Sequence, residues 1–136
     1  MRDGKLYKME PIEVYALIEE KEWKMCIPGD EGILLEGDRE DDDTYRNEIR
    51  VLMEMLCFLR KYSDKKYIIY TNSSYCVNLC DKWIPRWLDR KFRLPNSELL
   101  RPNTDLLVKI NSFQSCMEFQ VAQHFDSFGK FHSVFA

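Results

Sequence analysis

Apolar residues recur along this chain with two different periods, and the places where the period changes divide it into elements. From residue 12, Ile12, Val14, Ala16 and Ile18 alternate with Glu13, Tyr15, Leu17 and Glu19, the period-two pattern of a strand. Glu22 to Ile27 and Gly32 to Glu36 are two shorter strand candidates, separated by the turn sequence Pro28-Gly29-Asp30-Glu31. The opening therefore reads as a three-strand meander. Beyond the acidic run Asp38 to Asp43, Ile49, Leu52, Leu56 and Leu59 stand at helical spacing, and Val51, Met55 and Phe58 widen the apolar surface to a second side. This predicts a deeply packed helix to about Tyr62, capped by Asp43 or Thr44, with acids beside its positive N-terminal end.

Lys66 to Thr71 (KYIIYT) is a β-branched and aromatic run that predicts a buried central strand. Ser73 or Ser74 then caps a helix through Tyr75, Val77 and Leu79. Lys82 to Leu94 (KWIPRWLDRKFRL) predicts a short helix that begins at Trp83, where proline is tolerated in the first turn, and stops before Pro95. Asn103 or Thr104 caps a helix from Asp105 to about Phe113, and Met117 to Ala122 is the last strand. Residues 1–10 read as a polar tail and 11–136 as one domain, without repeat, linker or low-complexity segment.

Composition narrows the class. A chain of 136 residues buries roughly two thirds of its unfolded surface, so it needs no staples. The net charge of -3 excludes nucleic-acid binding through overall charge, so any basic surface must be local. Cys26, Cys57, Cys76, Cys80 and Cys116 are odd in number and lack the spacing of a disulfide framework or zinc site. They read as buried small hydrophobes in a reducing compartment, and no metal site is expected, although Cys76 and Cys80 would share a helix face. No apolar run reaches the roughly 20 residues of a membrane span, and residues 1–10 are too polar for a signal peptide. The expectation is an intracellular protein, nuclear or cytoplasmic, without membrane contact. The run Asp38 to Asp43 reads as a solvated acidic loop, with metal or basic-partner binding as the sharper alternative.

Several segments then match one family in order. Thr44 to Leu59 (TYRNEIRVLMEMLCFL) is similar to the first helix of ribonuclease H, whose R-x-E motif carries a catalytic carboxylate, here Glu48. Tyr67 to Val77 (YIIYTNSSYCV) resembles that family's Y-T-D-S-x-Y-V strand end, followed by a W-I-x-x-W stretch, here Trp83, Ile84 and Trp87. Asn103 to Leu106 (NTDL) resembles its N-x-D-L helix start, and Val121 to His124 falls where the family has V-x-G-H, whose histidine helps product leave. The resemblance covers about residues 12 to 125. It implies an α/β domain with a five-stranded mixed sheet, a three-strand antiparallel meander plus two parallel strands, flanked by helices.

The chemistry that the family implies is damaged here. Ribonuclease H acts through two divalent cations about 4 Å apart, and hard cations want several anionic oxygens. Glu48 is retained, but Asn72 stands at the strand-end aspartate and supplies no charge. Ala16, Leu17 and Ile18 occupy the first-strand position, unless a register shift of two or three residues brings in Glu19, Glu20 or Glu22. About ten residues past His124, where the fourth carboxylate belongs, the sequence has Ser133 and Val134, and Asp126 comes too early. The glycine-rich loop is reduced to Pro28-Gly29 and Gly32. Glu48, Asn72 and His124 are thus expected to be vestigial positions, with no cofactor.

Three functions follow as expectations. The first is an inactive domain that binds a protein partner or a second copy of itself within a nucleic-acid-associated complex, through Phe125, Phe128, Phe131 and Phe135. The second is non-catalytic binding of RNA or an RNA/DNA hybrid, through Lys82, Arg86, Arg90, Lys91 and Arg93 interleaved with Trp83, Trp87 and Phe92. The third is an active nuclease, dependent on Mg²⁺ or Mn²⁺, with displaced carboxylates.

Overall fold

The computed structural model describes residues 10–28, 33–62 and 66–124. Five strands, β1 (Ile12–Ile18), β2 (Glu22–Cys26), β3 (Leu35–Asp38), β4 (Tyr67–Thr71) and β5 (Phe119–Gln123), form one sheet in the order β3-β2-β1-β4-β5. The first three pair antiparallel; β1 with β4 and β4 with β5 pair parallel. This is the meander plus two parallel strands that the α/β reading anticipates.

The register follows from burial on one face. Val14, Ala16, Met25, Ile69 and Val121 are buried and share the side covered by α1 (Thr44–Tyr62), which sets Ile49, Leu52, Leu56 and Leu59 against them. Except for the small Ala16, each of these side chains contributes roughly 1.5–3 kcal/mol by burial. The β3 strand begins at Leu35, three residues later than its apolar pattern suggests, because its partner β2 decides where it pairs. Gly37 lies opposite Trp23, and a Cβ there would sit 2.7 Å from the indole Nε1, so only glycine lets the buried indole lie against the strand. The β2 strand stops at Cys26, one residue short of expectation, and β5 starts two residues late and runs one further.

After β4, a helix α2 (Ser74–Asn78) runs through a π-helical turn (Leu79–Trp83) into α3 (Ile84–Leu88). Pro85 explains the widened turn: in a regular helix its ring would meet the carbonyl four residues back, at Asp81. The helix expected to reach Leu94 ends at Leu88, well before Pro95. The chain instead reverses through Lys91 and Phe92, at φ 53° and 61°. Left-handed backbone costs each of them about 1–2 kcal/mol. Burial of Phe92, 5% exposed, and hydrogen bonds from its N–H to the Trp87 carbonyl (2.9 Å) and to its carbonyl from Arg101 N–H (2.7 Å) offset that. Helix α4 (Thr104–Cys116) is longer than expected at both ends, and Asn103 precedes it at φ 67° without a side-chain cap bond. Among the described residues no helix is long and apolar enough to cross a membrane.

The cysteine expectation holds only in part. Cys26 and Cys76 are buried, but Cys57 and Cys116 are exposed. Both are on outward positions of helices whose inner faces are filled by larger apolar residues.

Candidate functional site

The position of most chemical interest is the end of β4, beside β1. The β1–β4 ladder closes at Ala16 and Thr71, and the next residue, Asn72, extends it with its side chain. Its Oδ1 accepts from Ile18 N–H at 2.9 Å and its Nδ2 donates to the Ile18 carbonyl at 2.8 Å. The amide thus behaves as one more peptide group of the sheet. A carboxylate could accept the first bond but has no hydrogen for the second. Asn72 does not cap α2: Ser73 does, its Oγ accepting from Cys76 N–H at 3.1 Å.

Ser73 also ties Glu48 into this corner, because its hydroxyl donates to Glu48 Oε1. Cys76 Sγ lies 3.6 Å from the Glu48 carbonyl, packing the start of α2 on α1. Burial pushes the Cys76 thiol well above its ordinary range and the Cys80 thiol up to about 12, so neither is a ready thiolate. Glu19 and Glu20 belong to the β1–β2 turn, which Glu19 N–H closes onto the carbonyl of Glu22, the first residue of β2, at 2.8 Å. The register shift that would bring one of them into β1 does not occur.

Among the described residues, this donor set does not fit a pair of divalent cations. Glu48 is engaged by Ser73, the Asn72 oxygen by Ile18, and β1 contributes Leu17 and Ile18 beside Asn72. No three described His, Cys, Asp or Glu side chains are grouped to hold a metal.

The acidic run is more structured than a solvated loop. Asp43 caps α1, its Oδ1 accepting from the N–H groups of Tyr45 and Arg46 at 2.8 and 3.2 Å. Asp41 binds Arg50 at 2.6 Å and lies 3.5 Å from Arg46. Arg46 reaches across to α4, donating to both Asp105 oxygens (3.1 and 2.7 Å) and to Asn103 Oδ1 (3.1 Å). The Arg46 guanidinium holds the Asp105 carboxyl down at about 2. The Arg39 guanidinium folds back on the carbonyls of Asp41 and Asp42 at 2.8 and 2.6 Å. The fold thus joins the start of α1 to the Asn103–Leu106 stretch through Arg46, whereas Glu48 belongs to the separate corner with Ser73.

The expected cationic stretch is dispersed. Lys82 is on the π turn, Arg86 on α3, and Arg90 and Lys91 on the following turn, all exposed; Arg93 is half-buried, 3.5 Å from Glu98. Phe92 is core and offers no stacking face, because the left-handed turn directs it inward. Trp83 and Trp87 do stack, centroids 5.9 Å apart, and belong to a longer column: Tyr45 on Tyr75 at 4.6 Å, Tyr75 against Trp83 at 5.3 Å, and the Arg101 guanidinium over Trp87 at 4.6 Å. Tyr45, Tyr75 and Arg101 are not among the site residues expected from the sequence. Only the Trp83/Trp87 spacing of four signals a shared helix face; the others meet through tertiary packing. Tyr45, Tyr75, Trp87 and Arg101 line a cleft of about 290 Å³.

His124 follows β5, where its N–H donates to the Thr71 carbonyl at 3.0 Å, and its ring lies 5.4 Å from Tyr15 and 6.0 Å from Tyr70. Phe125, Phe128, Phe131 and Phe135, with Asp126, Ser133 and Val134, lie outside the described residues, as do Gly29 and Gly32.

No family model and no curated protein matches this sequence. Solved structures do. The foamy viral protease–reverse transcriptase solved with an RNA/DNA hybrid aligns at TM-score 0.67 and 15% identity over 89% of this chain, which spans only 19% of that one. The same viral protein solved with double-stranded DNA aligns at TM-score 0.66 and 14% identity, over 90% of this chain and 89% of that one. The N-terminal RNase H domain of a Mycobacterium tuberculosis protein, solved as a fusion with maltose binding protein, aligns at TM-score 0.51 and 11% identity over 90% and 87%. Such identities establish the fold alone, and the fold is ribonuclease H-like.

Proposed function

We propose that this chain is a catalytically inactive ribonuclease H-like domain that serves as a protein-interaction module in an assembly that handles nucleic acid. The observation that carries the inactive part is the Asn72 amide, whose two hydrogen bonds to Ile18 need a donor that the family's aspartate lacks. With Glu48 as the only carboxylate of the set at this corner among the described residues, two divalent cations would repel one another with little to hold them. The module therefore needs no cofactor. The acidic balance of the chain favours a protein partner over a polyanion.

The test is a labelled RNA/DNA hybrid incubated with the protein in Mg²⁺ or Mn²⁺, with cleavage and binding followed together and Glu48→Gln as control. We expect no cleavage that Glu48→Gln abolishes. Cleavage abolished by that variant would overturn the inactive reading and return the displaced-carboxylate nuclease.

The aromatic column, ending in Arg101 and flanked by exposed Lys82 and Arg86, favours a second reading, non-catalytic binding of RNA or hybrid. The neighbouring structures solved with an RNA/DNA hybrid and with double-stranded DNA are consistent with a nucleic-acid partner. Hybrid binding that weakens steeply with salt and with Arg86→Ala would support it. A protein partner or homodimer held by the phenylalanines would instead tolerate salt and fail on Phe128→Ser or Phe131→Ser.

A further inference from the structure

Between the edge strand β3 and helix α1 runs a cleft of about 490 Å³ that no part of the foregoing chemistry uses. Its apolar surface comes from Trp23, Leu35 and Phe58, on three different elements. Its rim carries Glu36, Asp38, Glu40 and Glu54, against one lysine, Lys61. Among the described residues the ion pairs engage none of these four carboxylates, whereas the neighbouring Asp41 is held by two arginines. The acids nearest this cleft are thus unbalanced although cations lie close by, because Arg46 and Arg50 are committed to Asp41 and Arg39 to main-chain carbonyls.

Resting on the interaction-module reading, we infer that this cleft docks an extended, basic segment of a partner protein, with a lysine or arginine side chain laid between β3 and α1. The apolar surface suits the methylene stem of such a side chain, and the carboxylate rim suits its charged head. A nucleic-acid backbone would be repelled at the same place. Burial pushes the Glu54 carboxyl up, and Glu40 and Asp41 push it further against the opposing pull of Arg50, a repulsion that an incoming cation relieves. The site also lies on an outer strand of the sheet. An extended segment alongside β3 gains main-chain hydrogen bonds while its alternate side chains turn towards the cleft.

The experiment uses the full chain and two fluorescein-labelled peptides of about eight residues, one alternating arginine with valine and one alternating glutamate with valine, read by fluorescence anisotropy. Only the arginine peptide should bind, shifting the backbone amide resonances of Glu36, Gly37, Asp38 and Cys57. The double variant Glu40→Gln/Glu54→Gln should weaken it at least about tenfold, while Asp81→Asn/Asp89→Asn, which removes the same charge elsewhere, should change it less than about twofold. Circular dichroism confirms that both variants fold. Equal weakening by the two variants, resonance shifts away from β3 and α1, or no binding of the arginine peptide would each overturn the proposal. A chain that neither cuts hybrid nor binds the peptide keeps the module reading and loses this cleft. One that cuts hybrid yet binds the peptide does the reverse.

Discussion

Restoring the family's aspartate by Asn72→Asp should damage this protein rather than revive it. The substitution keeps the acceptor for Ile18 N–H but removes the donor to the Ile18 carbonyl and puts an anionic oxygen against it at about the same 2.8 Å separation. A lost hydrogen bond is worth about 0.5–1.5 kcal/mol, and a carbonyl left without a partner costs up to about 3. Asn72 is exposed, so water recovers part of this, and about 1–2 kcal/mol is expected. In a domain of this size that lowers Tm by roughly 3–8 °C. The loss should depend on pH. Facing a carbonyl, the introduced carboxyl is favoured in its protonated form, so its folded value lies above the unfolded one. The stability difference from the parent chain is then smallest below about pH 4 and widens as pH rises through the folded value. Urea unfolding followed by circular dichroism at pH 3.5 and pH 7, parent and variant side by side, measures both. A variant as stable as the parent at pH 7, or one that gains hybrid hydrolysis in Mg²⁺, would refute the structural role given to this amide.

Three further outcomes follow from the same geometry. Gly37→Ala drives a Cβ to 2.7 Å from the Trp23 indole, and overpacking of this kind costs about 1–3 kcal/mol, readable as a lower urea midpoint together with altered tryptophan emission. Because Arg46 depresses Asp105, that pair stabilises the fold above the model-compound value of 3.8 and loses its effect as pH falls towards about 2. Parent and Arg46→Ala should therefore differ in urea midpoint at pH 6 and converge near pH 2. Under native conditions Cys57 and Cys116 should react rapidly with a thiol reagent, whereas Cys26, whose thiol burial raises to about 11, and Cys76 should react only on unfolding. Four rapid thiols would contradict the packing of β2 and α2.

Much of this protein was legible one segment at a time. Alternation marked β1, helical spacing marked α1, an apolar run marked β4, and Ser73 announced the cap of α2, because each depends on which face of a local element is buried. The meander-then-helix order likewise narrowed the fold, and Asn72 stood out as an amide where the resembling motif has an aspartate. What failed were features whose cause lies elsewhere in the chain. The β3 strand moved because Trp23, on another strand, demands a glycine opposite it. Helix α3 stopped early because burying Phe92 outweighs two left-handed residues. The expected cationic stripe dispersed over three local structures because Pro85 widens the turn that holds Lys82 and the buried Phe92 ends α3 before Arg90, while Tyr45 and Arg101, unremarkable in sequence, joined the aromatic column. Asn72 is the clearest division between the two levels. Its sequence shows the loss of a charge, but only the pairing of β1 with β4 gives the amide a donor's task, because a hydrogen bond across 54 residues is set by strand register and not by local composition.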